Sequence, residues 1–226
     1  MPHDPLIIAL DLECADEARA LVKTLGAEAN FYKVGMELYA AGGPDFVREL
    51  AGQGKDVFLD LKFYDIGETV KRATAVVART GARFLTVHAR GQIMRAAADG
   101  RGASALKLLG VTVLTSFDQQ DLNDEGVAGD LSATVLDRAR NAQSCGMDGI
   151  VTSPLEAAAL RQALGPDLLI VTPGVRSAGA SRGDQKRVAT PAEALRSGAS
   201  YLVIGRQVTR AQDPAAAIRQ IRAEIA

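Results

Sequence analysis

The segment Asp60-Leu61-Lys62-Phe63-Tyr64-Asp65 holds three charges at spacings that carry chemical meaning. Asp60 and Lys62 are two apart, so on an extended strand both project from the same face. Asp65 follows three residues later, where the chain is expected to have left the strand for a loop. A lysine held between carboxylates keeps its proton, because opposite charge favours the ammonium form. Such a lysine is suited to deliver a proton; a Schiff-base lysine needs a depressed pKa instead. Lys33, in a separate apolar run, would add a second cation and help offset two close carboxylates.

These groups can act together only if the fold brings distant runs side by side. Short apolar runs recur at 6–12, 31–38, 56–63, 84–89, 108–115, 149–153, 168–174 and 201–206. They are rich in Val, Ile and Leu, and most are too short for helices, which suits parallel strands buried on both faces. Helical periodicity fills the gaps. Ala18, Leu21, Val22 and Leu25 form one apolar face, as do Val70, Ala73, Thr74 and Val77, and Ala217, Ile218, Ile221 and Ile225. Thr190 before Pro191 and Asp213 before Pro214 have the form of helix starts. Eight strand–helix units predict an α/β fold with one (β/α)8 TIM-barrel domain over 1–226. A doubly wound sheet is the alternative, weakened because no Gly-x-Gly-x-x-Gly turn follows the first run.

Barrel active sites lie at the C-terminal ends of the strands. Charge interrupts the apolar runs near those ends: Asp11 in the first, Lys33 in the second, Asp60 and Lys62 in the third. His88 is near the end of the fourth, Thr115 ends the fifth, and Arg206 follows the eighth. A lone aspartate there often serves as a helix cap, and a lone histidine is often a satisfied core residue. Several charges inside one barrel need partners or a purpose. A second cluster suits a phosphate: Pro173-Gly174-Val175-Arg176, the stretch with Gly179, Gly183 and Gln185, and Ile204-Gly205-Arg206. Loops after the seventh and eighth strands are the usual anion site of this fold. Gly205 would permit close backbone approach; ordinary surface turns with solvated arginines are the alternative.

Bulk properties narrow the function classes. Lys+Arg number 26 against 27 Asp+Glu, for a net charge of −1, which lacks the basic excess of a nucleic-acid binder. Cys14 and Cys145 are far apart and in no metal-ligand spacing, so a disulfide framework is not expected. The opening MPHDPLIIALDLE has no basic n-region, and its apolar run breaks at Asp11. No run reaches the roughly 18 apolar residues of a membrane helix. The expectation is a soluble cytoplasmic protein.

The ordered segments ALDL (9–12), KVGMEL (33–38), DLKFYDI (60–66), VHARG (87–91), VTVLTS (111–116), TPGVR (172–176), GDQKR (183–187) and VIGR (203–206) resemble the orotidine 5′-phosphate decarboxylase family in its bacterial form. The resemblance covers nearly the whole chain, and its strongest element is the Asp-x-Lys-x-x-Asp pattern at 60–65. It implies cofactor-free conversion of orotidine 5′-phosphate to UMP and carbon dioxide, with a catalytic tetrad of Lys33, Asp60, Lys62 and Asp65 and no metal. It further implies that Asp65, with Ile66 and Thr69, serves the partner's site in a homodimer. Asp11 would hold ribose hydroxyls with Lys33, and Thr115 would contact the pyrimidine. Arg176, Gln185, Gly205 and Arg206 would bind the phosphate, with the 176–187 loop closing over it. The chain departs from the family at Tyr64, commonly His, at Gly67-Glu68, commonly Pro-Asn, and at Gln92, commonly Gly. Related barrels that act on sugar phosphates with Mg²⁺ share Asp-x-Lys-x-x-Asp, and a non-catalytic phosphate-binding barrel is the reading from another class.

Overall fold

A computed structural model describes residues 4–178 and 187–226. Eight strands pair in chain order: β1 (Leu6–Ala9), β2 (Phe31–Gly35), β3 (Asp56–Phe63), β4 (Phe84–His88), β5 (Lys107–Val111), β6 (Gly149–Val151), β7 (Leu169–Thr172) and β8 (Tyr201–Ile204). All pairs are parallel, and β1 closes on β8 with Ile7 opposite Val203, so no strand edge is left open. The helices are α1 (Ala15–Leu25), α2 (Met36–Gly52, broken at Gly43), α3 (Gly67–Val77), α4 (Gly91–Arg101), α5 (Gln119–Asp124), α6 (Leu131–Ser144), α7 (Ala157–Leu164), α8 (Pro191–Arg196), α9 (Arg206–Thr209) and α10 (Pro214–Ile225). The expected (β/α)8 barrel is therefore the observed fold, and the open sheet is excluded by closure.

Residue parity within the strands builds two cores. Ile8, Val34, Leu59, Leu85 and Ile170 face outward and pack with helix residues such as Val22, Val70 and Ile218. Ile7, Phe31, Phe58, Phe84, Leu109, Val171 and Tyr201 face the barrel axis. Phe31, Phe84 and Tyr201 meet edge to face, with centroids 5.0–5.7 Å apart, and each buried ring contributes about 1.5–3 kcal/mol by leaving water. Arg83 covers this aromatic floor: its guanidinium stands 5.3 Å from the Phe31 centroid, pairs with Asp56 at 2.6 Å and donates to the Tyr201 hydroxyl at 3.1 Å. With one end plugged, the opening lies at the C-terminal ends of the strands.

The apolar runs overshoot several strands. Apolar side chains continue past the last ladder bond, so β2 stops at Gly35 and Met36 already starts α2. For the same reason β5 stops at Val111, and Thr115 lies in the loop beyond rather than at the strand end. The predicted caps are present: Thr190 accepts from the Glu193 amide in a capping box, and Asp213 accepts from the Ala216 amide.

Candidate active site

A cavity of about 390 Å³ opens at the C-terminal end of the barrel, with Asp11, Lys33, Asp60 and Lys62 on its wall. Strand register explains their meeting. Lys33 is level with Ala9 on one side and Phe58 on the other, while Asp60 is level with Gly35. Asp11 and Asp60 thus lie one inward-facing step above Lys33, on either side of it, and its long side chain rises between them. The Lys33 ammonium donates to Asp11 Oδ1 at 2.7 Å and stands 3.9 Å from Asp60 Oδ2; Lys62 Nζ donates to the same Asp60 oxygen at 2.8 Å. The result is a row of alternating sign, Asp11–Lys33–Asp60–Lys62.

Gly35 makes room for that row. A Cβ there would sit 3.1 Å from Lys33 Nζ and 3.3 Å from Asp11 Oδ1, so a side chain would press on this ion pair and require it to give by a few tenths of an ångström. Asp60 is only 15% exposed at its side chain. Burial alone would push its carboxyl up; the Lys62 and Lys33 charges, with hydrogen bonds from Lys62 and Thr86, outweigh that and hold it below its ordinary value of 3.8. Its pairing therefore stabilises the fold at all pH above the unfolded carboxyl value and is lost as pH falls through the lower folded value.

The simple two-residue alternation proposed for Asp60 and Lys62 needs correction. Lys62 has φ of 46°, and the β3–β4 register shifts between Leu59 and Phe63. The strand bulges at Lys62, and the lysine reaches Asp60 from a left-handed conformation that costs a non-glycine residue about 1–3 kcal/mol. Thr86 holds the bulge: its hydroxyl donates to Asp60 Oδ1 at 3.0 Å and accepts the Lys62 amide at 2.9 Å. Sequence reasoning missed Thr86. The available signal was its place two residues after Phe84 on the inward face of β4.

Asp65 does not join the row within its own chain. It is exposed, and its carboxylate takes the Ile66 amide at 2.5 Å. With Tyr64 it borders a second cavity of about 340 Å³, lined also by Arg90, Gln92 and Ile93. Tyr64 and Ile66 are 66% and 75% exposed, and Thr69 is exposed on the following helix. His88 closes β4 but is not among the described residues that line the 390 Å³ cavity. Its ring lies 5.5 Å from Tyr64, and burial, then the charges of Lys62, Arg90 and Arg138, lower its pKa.

The same cavity is also lined by Thr115, Arg176, Gly205 and Arg206. A Cβ on Gly205 would meet only Ala9 Cβ at 3.8 Å, an ordinary contact, so the protein's own packing does not require glycine there. Gln185 lies outside the described residues, as does most of the 176–187 loop. Arg187, at that loop's far end, pairs with Glu156 and donates to the Leu114 carbonyl at 3.1 Å, bracing the turn that carries Thr115.

Residues 4–221 match the family model described as Orotidine 5′-phosphate decarboxylase / HUMPS family. A protein of Methylobacterium sp. (strain 4-46) named orotidine 5′-phosphate decarboxylase is 54% identical, over 100% of this chain and 97% of its own length. One of the same name from Rhodopseudomonas palustris (strain ATCC BAA-98 / CGA009) is 53% identical, over 99% of this chain and 94% of its own. The crystal structure of orotidine 5′-phosphate decarboxylase from Lactobacillus acidophilus superposes with a TM-score of 0.87 at 38% identity, covering 99% of both chains. The chain belongs to the orotidine 5′-phosphate decarboxylase / HUMPS family.

Proposed function

We propose that this protein decarboxylates orotidine 5′-phosphate to UMP and carbon dioxide, with residues 1–226 acting as one catalytic domain. The observation that carries the reading is the Asp11–Lys33–Asp60–Lys62 row in a cavity that Arg176 and Arg206 also line. A nucleotide fits this division: base and ribose toward the charged row, phosphate toward the arginines. The bond between C6 and the carboxylate breaks, its electron pair stays on C6, and carbon dioxide departs. Lys62 places positive charge beside that carbon and transfers a proton to it. Asp60 faces the substrate carboxylate, and their repulsion falls as neutral carbon dioxide forms. Asp11 and Lys33 hold the ribose hydroxyls, and Thr115 contacts the pyrimidine.

Phosphate contacts from Arg176, Gln185, Gly205 and Arg206 supply binding energy remote from the reacting carbon, which orders the site for the transition state. Asp65, with Ile66 and Thr69, completes the tetrad in a partner subunit. The exposed Tyr64 and Ile66 beside it support that homodimer, since adjoining exposed apolar side chains mark interaction surfaces. No helix among the described residues is long and apolar enough to cross a membrane. The proposed setting is the cytoplasm, with neither nucleic acid nor membrane as partner.

Nothing in this chemistry calls on a metal or organic cofactor. The purified protein is expected to consume orotidine 5′-phosphate, followed by ultraviolet absorbance, at the same rate with and without chelator. A requirement for Mg²⁺ would move the chain to the sugar-phosphate branch of the barrel.

A further inference from the structure

Arg176 and Arg206 come from different barrel loops, and the residue after each one joins them. Ser177 follows Arg176, and Gln207 follows Arg206 on α9. The Gln207 side-chain amide makes two bonds to Ser177: Oε1 accepts the Ser177 backbone N–H at 3.1 Å, and Nε2 donates to the Ser177 hydroxyl. That hydroxyl in turn donates a hydrogen bond to Glu224 Oε2 at 2.8 Å. Ser177 is 9% exposed, and Glu224 sits on α10, which is seated on the barrel through the fully buried Ile218 and Ile221. The preceding residue is held from the other side, since the Arg176 amide donates to the Ala189 carbonyl at 3.0 Å.

We propose that Ser177, Gln207 and Glu224 are positioning residues for phosphate recognition, setting the backbone of Arg176 against that of Arg206 before substrate arrives. The proposal rests on the assignment of these two arginines to the phosphate. Each bond in the cluster has a donor and an acceptor already matched, so the cluster needs no ligand to complete it. Its geometric product is a fixed separation between the two loops that carry Arg176 and Arg206. Pre-set anion donors do not pay the ordering cost on binding, so losing the clamp weakens affinity for the phosphorylated ligand and spares the chemical step.

The test compares UMP with uridine as inhibitors, alongside KM and kcat for orotidine 5′-phosphate. Ser177→Ala removes the hydroxyl's bonds to Gln207 and to the Glu224 carboxylate, Gln207→Ala removes both of its bonds to Ser177, and each is expected to raise KM and the UMP inhibition constant by about tenfold, with kcat and the uridine constant changed by less than about twofold. Glu224→Gln keeps an acceptor for the Ser177 hydroxyl and is expected to stay near wild type, whereas Glu224→Ala behaves like the other two. Gln207→Asn, too short to span to Ser177, repeats the test if an alanine variant fails to fold, as read by thermal melting. Arg206→Ala is the control and is expected to weaken UMP by about tenfold or more. If Arg206→Ala leaves UMP inhibition unchanged, the phosphate assignment itself fails. If Arg206→Ala acts but Ser177→Ala and Gln207→Ala do not, or if they weaken UMP and uridine alike, the clamp has no positioning role.

Discussion

Lys62→Ala is expected to lower kcat by at least about 10³-fold while the barrel stays folded, because in the proposed mechanism one side chain supplies both the proton and the preorganised charge at C6. Lys62 is the only member of the row assigned to C6; Lys33 is engaged by Asp11 at 2.7 Å and lies 3.9 Å from Asp60. Removing Lys62 also leaves Asp60 with Thr86 and that longer Lys33 contact as partners. The Asp60 carboxyl then loses the largest charge holding it down, and its pKa moves upward. The substitution relieves a positive-φ lysine at the bulge but puts alanine in the same conformation, so little stability is expected to change through the backbone. Single-turnover assays and far-ultraviolet circular dichroism on the same preparation check both halves. Turnover near wild type in Lys62→Ala would remove this lysine from the mechanism.

Mixing Lys62→Ala chains with Asp65→Ala chains is expected to restore activity that neither has alone. In a two-fold dimer with crossed aspartates, one of the two sites in each heterodimer has both residues intact, so about half the wild-type rate per heterodimer returns. The expectation grows from the placement of Asp65, exposed beside Tyr64 and Ile66 and bonded to the Ile66 amide rather than to Lys33 or Lys62 of its own chain. Differently tagged chains, co-purified so that only heterodimers are assayed, give the measurement. Verified heterodimers that remain inactive would mean that the active site is not shared.

Strand and helix order was legible because the two periodicities differ so plainly: β3 runs over Asp56–Phe63, the same span as its apolar run, and Val70, Thr74 and Val77 are the buried face of α3. Strand ends were less legible. Hydrophobicity does not stop where the ladder stops, which is why Met36 reads as strand but begins a helix. The charged row could be assembled from residue types at strand ends, yet its detail could not. Gly35 matters through a clearance of 3.1 Å to Lys33 Nζ, a distance between strands that no one-dimensional pattern contains. The Lys62 bulge is equally hidden, because lysine carries no local preference for positive φ. Thr86 looks like any strand threonine until its hydroxyl is placed between Asp60 and the Lys62 amide. Ser177, Gln207 and Glu224 show no motif at all, since Ser177 and Glu224 are 47 positions apart.

Release of the substrate carboxylate is the event on which everything else depends. Orotidine 5′-phosphate labelled in that carboxylate, incubated with the purified protein and chelator, is predicted to yield labelled carbon dioxide and UMP in equal amounts. Retention of the label in a nucleotide product, or release only after Mg²⁺ is restored, would contradict the assignment of this barrel as a cofactor-free nucleotide decarboxylase.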